Sequence, residues 1–213
     1  MKSIIFKTIK SNKYFLLFLL IFNLYIASWN YSYLIISEGW FLLPAKLISE
    51  GKLPYIDFYS YLPPFYYWYS YLIYNIGDSI IFNARVVGQI VFCLIFFFTY
   101  KFYRLNFSKI ISIVVTFVSL LIYLNTNAIF SYDFTHLVTL FYLIFFFFIV
   151  KSNKNNISAF LSGFFATILV LTKQSNGSVI FLFLIIIFLV INRKSLKRIY
   201  LPILGALLAG LPF

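Results

Sequence analysis

Acidic residues are scarce in this chain of 213 residues. Only five of them are Asp or Glu, and charged residues of both signs make up 10% of the sequence. An ordinary soluble domain carries about 25% charged residues. Hydrophobic residues account for 63% and aromatic residues for 23%. Because so little polar surface cannot cover a water-soluble globule, the composition excludes a soluble fold and predicts a polytopic membrane protein.

Cysteine is almost absent as well. The single one, Cys93, lies within an apolar run, which excludes a disulfide within the chain and a cysteine-based metal site. The formal net charge of +12 would suggest a nucleic-acid partner in a soluble protein. Here the basic residues flank apolar runs, where they set membrane orientation. Nucleic acid is therefore not predicted as a partner.

Long uncharged runs predict an all-α fold with six complete transmembrane helices and a seventh run that reaches the last residue. The first run is too long for a signal peptide and has no clean cleavage site, so it is interpreted as a transmembrane helix. We expect one transmembrane domain over residues 1–213, forming the N-terminal part of a longer protein. The predicted spans are residues 14–36, 79–100, 110–127, 134–150, 157–172, 178–192 and 199–213.

The basic residues predict the orientation of these spans. With the N-terminus in the cytoplasm of an inner-membrane protein, thirteen lysines and arginines fall on the cytoplasmic side, whereas Lys46, Lys52 and Lys173 fall on the external, periplasmic side. Such an excess is typical of cytoplasmic loops. The cytoplasmic set is Lys2, Lys7, Lys10, Lys13, Lys101, Arg104, Lys109, Lys151, Lys154, Arg193, Lys194, Lys197 and Arg198.

The first external loop, residues 37–78, holds four of the five acidic residues. It is much longer than the ~2 to 8 residues that usually link helices in a bundle. The pattern predicts two interfacial helices, residues 39–50 ended by Gly51 and residues 65–76 ended by Gly77, with an extended segment at 53–58 between them. The acidic residues of the loop are Glu38, Glu50, Asp57 and Asp78.

Several other polar and aromatic residues are candidates for a site on the external face. Lys173 lies at the outer end of a span, where a cation is costly unless it is hydrated or paired with phosphate. Arg85 is interpreted either as a second phosphate ligand or as an ion-pair partner of Asp78. Tyr59 and Tyr61 either belong to an aromatic belt at headgroup level or line a cavity for a glycan or lipid head.

Asp133 and His136 stand three residues apart and so share a helix face. This spacing is compatible with a divalent metal ion, the one cofactor candidate of the sequence. The alternative interpretation is an aspartate that caps the helix and a histidine that is hydrogen-bonded within the bundle.

The loop sequence SEGWFLLPAKLISEGKLPYIDF at residues 37–58, followed by YLPPFYY at 61–67, resembles the first external loop of GT-C type membrane glycosyltransferases. The likeness is to the group that contains polyprenyl-phosphate-mannose transferases and aminoarabinose transferases. The later LTKQSNG at residues 171–177 resembles a recurrent turn of that group.

This resemblance implies an inverting transfer of a sugar from a polyprenyl-phosphate donor to a lipid or glycan acceptor at the external face. The family usually begins this loop with Asp-Glu and uses the Asp as general base, whereas this chain has Ser37 followed by Glu38. A serine does not hold the acceptor proton at ordinary pH. The candidate catalytic residues are therefore Glu38 and Asp57.

Two other functions remain open at this stage. A truncated or inactive relative would act as a structural or partner subunit, for which the serine at position 37 is the argument. A transporter of lipid-linked glycans would need charged residues along its spans. Only Arg85 and His136 come near that requirement.

Overall fold

The computed structural model describes residues 36–77, 80–126, 134–152, 155–174 and 196–211, together with residues 178, 182 and 186. Within these ranges the chain is helical, with one isolated β-bridge and no strand. The helices are α1 (Ile36–Ser49), α2 (Pro64–Tyr74), α3 (Ile80–Tyr103), α4 (Lys109–Thr126), α5 (Phe134–Ser152), α6 (Asn156–Thr172) and α7 (Leu196–Gly210).

Two of these helices, over residues Ile81–Tyr103 and Phe134–Ser152, are long and apolar enough to cross a membrane. In lipid every backbone polar group must be bonded within the protein, and a helix achieves this within one segment. The hydroxyl groups of these apolar helices bond back to their own carbonyl oxygens. Thr99 donates to Ile95 at 2.8 Å, and Thr139 donates to Thr135 at 2.8 Å. These two hydroxyl groups are thus satisfied without water.

Helix α5 lies at the centre of the bundle, packed against α3 on one side and α6 on the other. Phe98 and Phe147, each near the end of its helix, meet edge to face at 5.8 Å, so α3 and α5 run parallel. Phe165 of α6 packs against Phe141 and Phe148 of α5 at about the same 6 Å separation. Aromatic rings therefore contribute to the contacts of α5 with both neighbouring helices.

Helices α6 and α7 approach each other more closely, because each places a glycine at the contact. A Cβ atom added at Gly163 would overlap the carbonyl oxygen of Pro202, and one added at Gly205 would overlap the carbonyl oxygen of Phe160. Small residues let helix backbones approach in this way within membranes. Both glycines therefore lie at one close contact between α6 and α7.

The helix boundaries agree with most of the sequence predictions. The predicted spans at 79–100, 110–127, 134–150 and 157–172 begin and end within three residues of α3, α4, α5 and α6. The run at 199–213 corresponds to α7. The predicted spans at 14–36 and 178–192 fall outside the described residues, apart from single positions, so the number of six to seven spans stays a prediction.

The close contact of α6 and α7 predicts that Gly163→Ala destabilises the protein. The added methyl group forces the Pro202 backbone away, and such overpacking costs about 1–3 kcal/mol. Thermal unfolding of the purified chain in detergent measures the change. The matched control is Gly88→Ala in α3, since a Cβ at Gly88 meets no atom within 4 Å. Equal stability of the Gly163→Ala variant and the wild type would contradict this account of the helix contact.

Candidate functional site

Helix α1 ends at a glycine, as the sequence predicts. Gly51 adopts φ +84°, and its N–H donates to Ile48 O at 2.9 Å while the N–H of Lys52 donates to Leu47 O at 3.0 Å. This pair of bonds is the Schellman motif, which needs a left-handed residue at its centre. The helix begins earlier than predicted, at Ile36, so that Pro44 lies in its interior.

The segment after Gly51 is a tight turn and not the extended stretch that we predicted for residues 53–58. The Leu53 N–H donates to Oδ2 of Asp57 at 2.7 Å, and the Asp57 N–H donates back to Leu53 O at 2.9 Å. Tyr55 takes a positive φ of 70° inside this turn. The proline at position 54 therefore starts a turn here. The Asp57 side chain is exposed and holds the turn closed.

Two tyrosines attach this turn to α2. The Tyr55 hydroxyl donates to Leu62 O, and the Leu62 N–H donates to the Tyr67 hydroxyl at 3.2 Å. Tyr67 also meets the rings of Tyr55 and Phe58 edge to face. Partial burial, and then the neighbouring Tyr67, raises the pKa of Tyr55 to about 12. Tyr55 thus remains a hydrogen-bond donor at any physiological pH.

Helix α2 begins at Pro64, where a proline loses no helical hydrogen bond. It ends at Tyr74, two residues before the predicted end, because Asn75 caps it and its side-chain amide donates to Tyr71 O at 2.7 Å. Its inner face packs against the bundle, where Tyr66 meets Phe134 edge to face at 6.0 Å and Phe65 meets Phe141 at 5.6 Å. The loop is thereby docked on the beginning of α5.

Lys173 lies at the same junction. It follows the last residue of α6, and its Nζ stands 4.6 Å from the centroid of the Phe134 ring. A cation over an aromatic face gains about 0.5–2 kcal/mol, depending on its exposure. Lys173 is partly buried, and no described carboxylate pairs with it. Residues Tyr66, Phe134 and Lys173 therefore join α2, α5 and α6, and we call this set the aromatic junction.

His136 lies one half-turn beyond Phe134 and is 4% exposed. The described residues contain no group of three His, Cys, Asp or Glu side chains able to hold a metal ion. Asp133, the predicted partner of His136, lies outside the described residues. The divalent-metal site therefore stays a prediction.

The structure places the other predicted site residues as follows. Glu38 lies in the first turns of α1, and Arg85 lies in the second turn of α3, partly buried. Its proposed ion-pair partner Asp78 lies outside the described residues. Tyr59 and Tyr61 are 90% and 51% exposed, so their side chains point away from the packed core.

The sequence analysis missed two residues of the aromatic junction. Tyr66 is fully buried, and Phe134 carries the ring beneath Lys173. The helical period offered a signal, because Tyr66, Ser70 and Ile73 lie on one face of a helix that begins at Pro64 and all three are buried.

The profile of the family described as dolichyl-phosphate-mannose-protein mannosyltransferase matches residues 62–213. The chain belongs to this family. Members are membrane glycosyltransferases that use a lipid-linked sugar donor and an acceptor, and the two apolar helices long enough to span a bilayer agree with a membrane location. No curated protein and no solved structure matches the chain significantly.

The contacts of Asp57 predict that Asp57→Ala opens the 53–58 turn, whereas Asp57→Asn preserves it, because an amide oxygen still accepts the Leu53 N–H. Losing one such hydrogen bond costs about 1 kcal/mol. The amide hydrogen of Leu53 should therefore exchange roughly fivefold faster. Hydrogen exchange at Leu53 measures the difference. Unchanged exchange in the alanine variant would show that the turn does not depend on this carboxylate.

Proposed function

We propose that this chain transfers a sugar from a polyprenyl-phosphate donor to a lipid or glycan acceptor at the external face of the membrane, with inversion at the anomeric carbon. The observation that carries the proposal is the aromatic junction, because it unites the acidic loop with the cation at the end of α6. Family membership supports the reaction class. The positions of Lys173 and Asp57 support the proposed roles of these two residues.

In the proposed reaction the acceptor hydroxyl oxygen forms a bond to the anomeric carbon while the bond from that carbon to the donor phosphate oxygen breaks. The polyprenyl phosphate leaves with the electron pair. A carboxylate takes the hydroxyl proton, and a cation stabilises the departing phosphate. The reaction thus requires at least one carboxylate and one cation at the same face of the bundle.

Lys173 is the proposed cation for the phosphate. Its ammonium group is held over Phe134 and is not paired with a described carboxylate. A ring contact fixes the position of an ammonium group but leaves its hydrogen-bond donors free for an anion. Lys46 and Lys52 suit this role less, because both stand within 4 Å of the Glu50 carboxylate, at 3.9 and 3.8 Å.

Glu38 is the proposed proton acceptor, and Asp57 is proposed to hold the loop in place. The argument is the hydrogen bond from Leu53 to Asp57, which commits this carboxylate to its own turn. Glu38 stands beside the position where the family carries its general base. Arg85 is proposed as a second contact to the donor, and the exposed Tyr59 and Tyr61 as contacts to the acceptor or to lipid heads.

We expect Glu38→Gln to lower sugar transfer by about 10² to 10⁴, the usual cost of removing a general base. Asp57→Asn is the matched control, since it also removes one negative charge from the loop but keeps the turn, and we expect a loss below about tenfold. Membranes that contain the full chain and polyprenyl-phosphate-linked radiolabelled mannose provide the assay. If Asp57→Asn is the more damaging change, the two roles are reversed. Full activity in both variants removes the catalytic assignment from this loop.

Lys173→Gln is expected to weaken donor binding by about 10- to 100-fold, the range for losing a hydrogen bond to a charged group. Lys173→Arg should retain most of the affinity because it retains the charge. Binding of polyprenyl-phosphate mannose to the purified chain is measured directly, so that the result does not depend on turnover. Lys52→Gln, which changes an exposed lysine of the first loop, residues 37–78, serves as control. An equal loss in both glutamine variants would refute a specific role for Lys173.

A further inference from the structure

The end of the bundle away from α2 carries three basic side chains from two neighbouring helices. Lys101 and Arg104 stand at the end of α3, and Lys151 stands at the end of α5. The ring contact between Phe98 and Phe147 holds these two helix ends together at 5.8 Å. Because each lysine follows its phenylalanine by three or four residues, both lysines lie on the same side as that contact.

Both ammonium groups fold back over aromatic rings. The Nζ of Lys101 stands 5.4 Å from the centroid of Phe97, and the Nζ of Lys151 stands 4.0 Å from the centroid of Phe147. The side chains of a helix lean toward its N-terminus, so the two charges lie level with the preceding turn. Both lysines are partly buried.

The charges at this end are not balanced by the described part of the protein. Lys151 and Arg104 both repel the ammonium group of Lys101. The described carboxylate side chains are those of Glu50 and Asp57, which lie in the loop at the opposite end, about 25 Å away along α5. The two helix C-termini contribute about half a negative charge each. The three positive side chains are therefore compensated by about one negative charge from the described residues at this end of the bundle.

An exposed apolar stripe leads up to this cluster. Ile90, Leu94, Phe97 and Lys101 share one face of α3, at the spacing of successive helical turns. Ile90 and Leu94 are exposed, and so is Val150, directly before Lys151. A free phosphate ion would use the cations alone, whereas a lipid would also cover the stripe with an acyl chain. The combination fits an anionic lipid.

We propose that Lys101, Lys151 and Arg104 form a binding site for the phosphate group of an anionic phospholipid, with its acyl chain along the Ile90 and Leu94 face of α3. Basic clusters between helix ends bind anionic lipid headgroups in this manner. The site lies at the opposite end of the bundle from the aromatic junction. It is independent of the proposed sugar transfer.

The test titrates the purified full chain in neutral detergent with phosphatidylglycerol and, separately, with phosphatidylcholine, and counts bound lipid by native mass spectrometry. We expect the wild type to prefer phosphatidylglycerol. The double variant Lys101→Gln with Lys151→Gln should bind phosphatidylglycerol about 30-fold more weakly. This factor corresponds to the loss of two lysine contacts of about 1 kcal/mol each. Lys109→Gln is the matched control, because Lys109 is an exposed lysine at the same end of the bundle, and it should stay within about twofold of wild type.

A second double variant, Lys101→Arg with Lys151→Arg, keeps the charges and should keep the affinity, which separates lost binding from lost folding. Equal binding of the two lipids by the wild type would overturn the proposal. So would unchanged phosphatidylglycerol binding in the glutamine double variant, or an equal loss in Lys109→Gln. Displacement of the lipid by inorganic phosphate at matched concentration would show a simple anion site and would also overturn it.

Discussion

The need to bond every backbone polar group without water governs this protein. Helices meet that need within a single segment, and in the described spans threonine hydroxyls donate to the carbonyl oxygen four residues earlier. Such segments carry few polar side chains. Four of the five acidic residues are found before α3, where side chains such as Asp57 and Tyr67 can bond to the backbone.

Aromatic rings connect this polar loop to the apolar bundle. The Tyr67 hydroxyl accepts a hydrogen bond from the Leu62 N–H next to the turn, while its neighbour Tyr66 packs on Phe134 at the start of α5. The same Phe134 ring carries Lys173. One phenylalanine therefore relates the position of the loop to that of the cation, because it contacts the Tyr66 ring nearly at a right angle and also lies beneath the Lys173 ammonium group. The proposed phosphate contact therefore lies where the loop packs on the bundle.

A lysine side chain lies over a phenylalanine ring at both ends of the bundle, but the surroundings of the two ends differ. Lys173 stands alone over Phe134, next to a loop that supplies carboxylates. Lys101 and Lys151 stand together, with Arg104 adding to the repulsion. A ring stabilises a cation but does not neutralise it. The positive charges of Lys101 and Lys151 therefore still require an anion, and the proposed lipid phosphate would supply it.

The sequence by itself determined the membrane class, the limits of α3 to α6 and the glycine that ends α1, because apolar run length and left-handed glycine caps are local properties. It did not determine the shape of residues 53–58, since the bond between Leu53 and Asp57 competes with the extended preference of proline. Only the tertiary structure decided that Phe134 meets both Tyr66 and Lys173, and that Gly163 touches Pro202. These contacts join residues that are far apart in the chain, and such proximity depends on how helices pack and not on the local pattern of residues.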